Sequence, residues 1–500
     1  MKALALLLAL ALPVVAQDPI VPETPALSPD AGDGPAKEAL ALFNQGRHRD
    51  AVEAARPLAE EGDADALFLL GYAAETGQGI LASREEALDF YRKAAAKDHQ
   101  EATYRRALIL LNSKDKAERE TGRKVLEAAS ETDPGTAGRI LGEAWLRGLP
   151  EGKADFEKAA KWWTSASEAG DTTALLLLAR LYSGNFGFAE KADAAKALEL
   201  YQKAADLGEK AAYLPLGSRL LNGDEALRDE AKGREWLAKA IETDQPAAWL
   251  AIGDFEETVK EDDKAAYLAY LKGADAEQQD CMLRVAGMLY NGRGVEEDKA
   301  AATRWLEKSA ELGNAQAHLE LANLASAGEN PDLLTAYRHL VAAADGGLAT
   351  AQNELGLLYV SGNLGAADGP AAVAWFTRAA KAGMAAAQNN LATLYERGAG
   401  VALNYGSAGE LYSLAANQGH AEATTALARM HALGLGTEPD LAKAWALATI
   451  AVERGDENAK SLLGELSPRL TPELLTEAKK QLEELKAPKT EEEEDAPEEP

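Results

Sequence analysis

One short pattern recurs along most of this chain and limits what it can fold into. An alanine is followed four residues later by a large apolar residue, then by Gly or Ala, and often by an aromatic residue; Ala351, Leu355, Gly356 and Tyr359 form a clear copy. Successive copies stand about 34 to 38 residues apart, which is the range of helical solenoid repeats. The other copies begin at Ala66, Ala102, Ala137, Ala174, Ala212, Ala248, Met282, Ala317, Ala387, Ala423 and Ala459.

Each copy predicts two helices joined by a short turn. Residues three and four apart share one helix face, so the alanine, leucine and aromatic positions form an apolar stripe. A glycine turn such as Gly398-x-Gly400 then leads to a second helix, which ends at a glycine such as Gly419. One pair cannot bury its apolar face alone, so neighbouring pairs must stack. We therefore predict an all-α, right-handed α-solenoid (superhelix) of about a dozen helix-turn-helix repeats over residues 36–470.

These motifs resemble the Sel-like repeats, which are related to the tetratricopeptide repeats. The resemblance covers roughly Ala36 to Leu466 and is strongest from Asp280 to Gly455. It implies an adaptor that assembles protein complexes, often in a secretory or periplasmic compartment. Cysteine-rich bacterial relatives linked to β-lactam binding carry a disulfide in each repeat, and this chain departs from them with Cys281 alone. The motifs that carry the resemblance are Leu355-Gly356-x-x-Tyr359-x-x-Gly362, Trp375-Phe376-x-x-Ala379-Ala380-x-x-Gly383, Asn291-Gly292-Arg293-Gly294-Val295 and Trp305-Leu306-x-Lys308-x-Ala310-x-x-Gly313.

The two ends of the chain do not follow the repeat. Lys2, the apolar run Ala3–Val15 and small Ala16 have the order of a signal peptide, so we expect cleavage after Ala16 and a periplasmic or secreted protein. Residues 17–35 are expected to form a flexible, Pro-rich leader. A capping helix is predicted over residues 471–486, and a disordered acidic tail over residues 487–500.

The charge and composition of the chain limit the kinds of partner that it can bind. The formal net charge is −29, so nucleic acid and anionic membranes would be repelled. No segment after the signal peptide is apolar enough to cross a bilayer, so the mature chain is expected to have no integral membrane segment. With Cys281 as its one cysteine, the chain forms no internal disulfide framework, and a buried helix position is expected for this thiol.

The sequence contains no motif that indicates catalysis, a metal or a cofactor. The Gly-x-Gly turns lack the Lys-Ser/Thr of a phosphate loop, and the six histidines lack metal-ligand spacing. His431 occupies an aromatic position of its repeat, which favours a packing role. Trp162 and Trp305 stand where the second helix carries its core aromatic residue. We therefore predict a protein that is not an enzyme and holds no cofactor.

Two columns on the first helix of each pair are predicted to line a concave, peptide-binding face. The column three residues before the Gly/Ala position contains Tyr104, Arg139, Arg284, Asn353 and Asn389. The column one residue after it contains Arg180, Asn323 and Arg429. Asparagine amides suit the backbone of an extended peptide, and the arginines would bind carboxylates.

The predicted function is a scaffold or adaptor of the bacterial cell envelope that binds proteins or peptides. An alternative is an envelope enzyme or accessory factor acting on peptidoglycan or β-lactams. That activity would need a convergent Ser/Lys/Glu or metal site where the repeat is irregular, for example at residues 254–275. A third possibility is a structural spacer without a specific partner.

Overall fold

The computed structural model describes residues 34–327, 331–362 and 367–487, and these residues form helices joined by short turns. Across them there are 26 α-helices and no β-strand, so the predicted all-α solenoid class is confirmed. None of these helices is long and apolar enough to span a membrane. The predicted signal peptide, most of the leader and all but the first residue of the acidic tail lie outside the described residues.

The chain divides into two compact units, and the first comprises residues 1–276. Its helices pair in chain order, so that each odd-numbered helix packs against the next one. We call the odd-numbered member the first helix and the even-numbered member the second helix. The helices of unit 1 are α1 (Lys37–Asn44), α2 (His48–Glu60), α3 (Ala64–Thr76), α4 (Arg84–Ala95), α5 (Gln100–Leu111), α6 (Lys116–Ala129), α7 (Pro134–Leu146), α8 (Phe156–Glu168), α9 (Thr172–Tyr182), α10 (Ala194–Asp206), α11 (Tyr213–Asn222), α12 (Glu230–Glu242), α13 (Ala247–Thr258) and α14 (Asp263–Asp275).

The second unit comprises residues 277–500 and repeats the same pairing from Gln279 to Glu453. Its last helix, α26 (Pro472–Lys486), packs against α24 (Leu441–Glu453). Thr471 caps α26, and its Ala478 is fully buried. The helices of unit 2 are α15 (Gln279–Asn291), α16 (Lys299–Glu311), α17 (Ala315–Ser326), α18 (Leu333–Asp345), α19 (Ala349–Ser361), α20 (Gly369–Lys381), α21 (Ala385–Arg397), α22 (Tyr405–Asn417), α23 (Ala421–Leu433), α24 (Leu441–Glu453), α25 (Glu457–Leu466) and α26 (Pro472–Lys486).

The alanine of most copies of the pattern lies three residues after the residue that caps its first helix. The Asp63 carboxylate accepts the amide of Ala66 at 2.8 Å, and the Asn314 side chain accepts that of Ala317 at 2.9 Å. A cap of this kind stabilises a helix by about 1 kcal/mol. In the copy of α15 the cap is Gln278, which places buried Cys281 in the alanine position instead of Met282. The expectation that Cys281 is buried is confirmed.

The small position of the pattern lets the second helix approach the first. A Cβ atom added to Gly71 would lie 2.7 Å from the Tyr91 ring, and one on Gly356 would lie 2.5 Å from the Phe376 ring. These distances are shorter than van der Waals contact, so an aromatic ring occupies the space that a side chain would need. Glycine at this position therefore determines how closely the two helices of a pair pack.

The core residue of the second helix lies one position later than predicted in two repeats. Trp163 is fully buried, whereas Trp162 beside it is half-buried. Likewise Leu306 is buried and Trp305 is half-buried. The core position falls eight residues after the helix cap, at Asp155 and Asp298 respectively, so the cap and not the tryptophan sets the register.

Candidate functional site: a groove along first helices of unit 2

Three successive first helices of unit 2, α21, α23 and α25, line a groove with a volume of about 640 Å³. We call it the unit 2 groove and define it by Asn389, Glu396, Arg429, Asp456 and Ser461, which come from these helices and the cap of α25. Its walls are mostly polar.

The carboxylate of Glu396 lies at the centre of one wall of this groove. Its side chain is only 10% exposed. The Tyr412 hydroxyl donates a hydrogen bond to it at 2.9 Å, and Arg429 Nη2 lies 2.6 and 2.9 Å from its two oxygens. Burial raises the pKa of Tyr412 to about 12, and the nearby Glu396 carboxylate acts in the same direction. Tyr412 is therefore a neutral donor that fixes the position of Glu396.

A second buried carboxylate, Asp456, joins the next pair of first helices. The Thr425 hydroxyl of α23 donates to Asp456, which also caps α25 by accepting the amide of Asn458 at 2.9 Å. Only 8% of Asp456 is exposed. Both carboxylates thus accept hydrogen bonds from side chains of the next or the preceding repeat, which hold them in place in the groove wall.

The arrangement at Glu396 has a counterpart in unit 1. The Tyr91 hydroxyl donates to Glu75 at 2.5 Å, and Arg105 Nη1 lies 3.3 Å from the same Glu75 oxygen. The Arg105 guanidinium also stacks 4.6 Å from the centre of the Tyr72 ring. A tyrosine from a second helix, a glutamate from its own first helix and an arginine from the next first helix thus recur as a link between repeats.

Side chains of the first predicted column form hydrogen bonds to the next repeat. Tyr104 is buried, and its hydroxyl donates to the Asp133 carboxylate at 2.5 Å. Arg139 Nε donates to Asp171 at 3.1 Å. Asp133 and Asp171 cap the next first helix in each case, so the cap of one repeat lies within reach of this column in the preceding repeat. The prediction that Tyr104 faces an open groove is therefore wrong.

The two asparagines of the first predicted column, Asn353 and Asn389, lie in different settings in the structure. Asn353 is buried with 8% of its surface exposed, and its Oδ1 accepts a hydrogen bond from Asn390 at 2.9 Å. The partner across the repeat is Asn390 and not the equivalent Asn389, because the next first helix brings the following residue closer. Asn389 is half-buried and lines the unit 2 groove.

The remaining predicted residues lie in different settings. Arg180 stacks 5.1 Å from the centre of the Phe186 ring, and Asn323 is half-buried on α17. Arg284 was predicted in the first column but lies one residue after it in the structure, because Cys281 and not Met282 takes the alanine position of its repeat. Arg429 is exposed and lines the groove beside Asn389. Of the eight predicted residues, two line the unit 2 groove together, namely Asn389 and Arg429.

Sequence reasoning did not identify Glu396, Thr425 or Asp456 as site residues. A usable signal existed for Asp456, because an acidic residue three positions before the repeat alanine is a helix cap and recurs in several copies. Nothing in the spacing indicates that Thr425 reaches that cap. This contact depends on how closely successive first helices pack.

The fold and the groove define a helical-repeat solenoid, a class of scaffold that typically mediates protein interactions. The chain belongs to the Sel1 repeat family, whose model matches eight segments that together exceed half of its length. Between the matched segments, residues 100–139, 243–278 and 315–348 are not matched, and the last of these lies in the part of the chain where the resemblance was expected to be strongest. The matched segments are residues 64–99, 140–171, 172–209, 211–242, 279–314, 349–384, 385–420 and 421–456.

Several individual proteins are similar to this chain. A Sel1 repeat protein from Oxalobacter formigenes is 28% identical, with 65% of this chain and 93% of that chain covered and a TM-score of 0.44. A protective antigen of uropathogenic Escherichia coli with an SLR fold is 24% identical over 87% of this chain and 94% of that chain, with a TM-score of 0.37. Chitin synthase regulatory factor 3 of Schizosaccharomyces pombe is 26% identical over 50% of this chain, a match that spans 28% of the yeast protein.

Proposed function

We propose that this chain is a non-enzymatic scaffold of the bacterial cell envelope that binds a protein or peptide segment in the unit 2 groove. The observation that carries the proposal is the groove itself, in which Glu396 and Asp456 are held by contacts between repeats while Asn389 and Ser461 remain at its surface. Repeat solenoids present extended surfaces of this kind to their partners.

The row of three first helices along the groove suits a partner segment in an extended conformation. Helices in direct contact lie about 8–10 Å apart, so the distance across α21, α23 and α25 is at least about 16–20 Å. An extended chain advances about 3.3 Å per residue, so a segment of about five or more residues fits across the three helices. The side-chain amides of Asn389 and Asn458 offer donors and acceptors to the backbone of such a segment.

Site-specific photo-crosslinking in intact cells tests this function. A crosslinking amino acid replaces Asn458, an exposed residue of the groove. The matched control replaces Leu414, which is 52% exposed on the second helix α22. We expect a reproducible protein adduct from position 458 that is absent from position 414. Equal labelling at both positions, or no adduct at position 458, contradicts groove binding.

The envelope assignment is tested separately, because it derives from the N-terminal sequence. Lys2, the apolar run up to Val15 and the small residue Ala16 support export and cleavage. We expect the full-length chain, expressed with its own N-terminus, to appear in the periplasmic or secreted fraction with Gln17 as its first residue. Recovery in the cytoplasm with residues 1–16 still attached contradicts this part of the proposal.

A further inference from the structure

We propose that the segment bound in the unit 2 groove is cationic and places Lys or Arg side chains between the first helices. This inference rests on the proposed function and specifies the chemistry of the partner. It reverses the expectation from sequence that arginines of the concave face bind carboxylates of a partner. The reversal follows from which charges in the groove already have partners.

The arginine of the groove that sequence analysis selected is already neutralised within the protein. Arg429 contacts both oxygens of Glu396, at 2.6 and 2.9 Å. One guanidinium nitrogen, Nη2, therefore lies within hydrogen-bond distance of both carboxylate oxygens, and the two charges offset each other. In unit 1, Arg139 is likewise engaged by Asp171 and Glu143, at 3.1 and 3.3 Å. An anionic partner would have to displace these internal carboxylates to bind Arg429 or Arg139, whereas Arg397 is exposed in the groove without an ion-pair partner among the described residues.

The carboxylates at the groove surface are not neutralised in this way. Glu422 on α23 and Glu465 on α25 are exposed, and neither has an ion-pair partner among the described residues. Four carboxylates and two guanidinium groups line the groove, which leaves a net charge of −2 (two minus four). These charged groups are Glu396, Glu422, Asp456, Glu465, Arg397 and Arg429.

The net negative charge of the groove favours a partner segment with positive charge. A groove with a net negative charge attracts cations and repels anions, and the overall charge of −29 acts in the same direction. Lys and Arg side chains also carry long apolar stems, which suit the partly buried Leu462 and Ala426 in the same groove. A lysine- or arginine-bearing segment therefore satisfies Glu422 and Glu465 while its backbone meets the asparagine amides.

The test compares two peptide pools on the full mature chain by fluorescence anisotropy. Both pools are seven residues long and differ in carrying either Lys/Arg or Asp/Glu at alternate positions. The double variant Glu422→Gln/Glu465→Gln removes two groove charges, and Glu307→Gln/Glu410→Gln removes two exposed charges from the second helices α16 and α22 as a matched control. Circular dichroism verifies that both variants are folded.

We expect the cationic pool to bind, with affinity falling about tenfold in the groove variant and less than about twofold in the control. Affinity for the cationic pool should also fall as salt is raised. Preferential binding of the acidic pool at the groove overturns the inference and leaves the scaffold function standing. If neither pool binds, the segment crosslinked to position 458 is sequenced instead. A crosslinked segment without Lys or Arg overturns the inference. The lack of any crosslink overturns both the inference and the proposed function.

Discussion

Arg429 reaches across one repeat boundary and holds Glu396, with Nη2 at 2.6 and 2.9 Å from the two carboxylate oxygens. Glu396 is in turn fixed by the Tyr412 hydroxyl from the second helix of its own repeat. One wall of the unit 2 groove thus consists of side chains whose positions are determined by neighbouring repeats. The same contacts that stabilise the stack also shape the surface available to a partner.

The hydrogen bond from Tyr412 to Glu396 predicts a loss of stability in Tyr412→Phe. The change leaves the mostly buried Glu396 carboxylate without one of its donors, which costs about 1–3 kcal/mol. Urea denaturation followed by circular dichroism measures this loss. Tyr405→Phe is the control, because Tyr405 is half-buried on α22 and has no hydrogen bond from its hydroxyl among the described contacts. Equal denaturation midpoints for the two variants would show that the contact contributes nothing.

The close approach of Phe376 to Gly356 predicts that Gly356→Ala destabilises unit 2. The added Cβ would lie 2.5 Å from the ring, so the second helix must move, at a cost of about 1–3 kcal/mol. Gly464→Ala provides the control in α25, where nothing lies within 4 Å of the new atom. There the helix should be unchanged or up to about 1 kcal/mol more stable. A thermal melt in which both variants behave alike would refute the role assigned to the small position.

The position of Arg106 predicts that a leucine there would stabilise unit 1, because the repeat that begins at Ala102 lacks the large apolar residue of the pattern. It occupies the position that Leu141 and Leu178 fill in later repeats, and it is half-buried without an ion-pair partner among the described residues. Burial and the nearby Arg92 lower the pKa of Arg106. Arg106→Leu should therefore raise the free energy of unfolding by about 1 kcal/mol.

The control for this change is Arg304→Leu, which replaces an exposed arginine on α16. It should leave the denaturation midpoint nearly unchanged, because it buries little apolar surface. A lower midpoint for Arg106→Leu than for the wild type would mean that Arg106 contributes a contact that the leucine cannot replace.

The histidine pair of α17 and α18 predicts acid sensitivity in unit 2. His318 Nδ1 lies 3.0 Å from His339 Nδ1, and burial together with His339 lowers the pKa of His318 below 6.5. The unfolded chain therefore binds more protons than the folded chain as the pH falls through about 6.5, so the free energy of unfolding decreases there. His339→Gln removes the repulsive neighbour and should make this decrease shallower.

Denaturation midpoints between about pH 7.5 and 5.5 measure the effect. His420→Gln serves as the control, since this histidine caps α23 and has no second histidine in contact. Burial also lowers the pKa of His99 and His431, so some acid sensitivity should remain in His339→Gln. An unchanged pH dependence in His339→Gln would contradict the account.

The sequence was sufficient to predict the repeat, its helix pairs and its family, because helical periodicity and turn glycines are local signals. It was not sufficient for the groove. Tyr104 and Asn353 stand in the predicted column, yet both are buried, since the neighbouring first helix brings Asp133 and Asn390 within hydrogen-bonding distance. Spacing along one helix identifies a face but not the distance to the next helix, and that distance decides which polar residues remain available.

The most direct test of the central claim blocks the unit 2 groove with a bulky, uncharged residue. Ser461 is exposed at the groove surface, so Ser461→Trp should fill part of the groove without disturbing the fold. Ala374→Trp, at an exposed position on the second helix α20, is the control. Titration with the partner captured at position 458 should show affinity reduced at least about tenfold by Ser461→Trp and unchanged by Ala374→Trp. Equal affinity for the wild type and a folded Ser461→Trp variant would contradict binding in the groove.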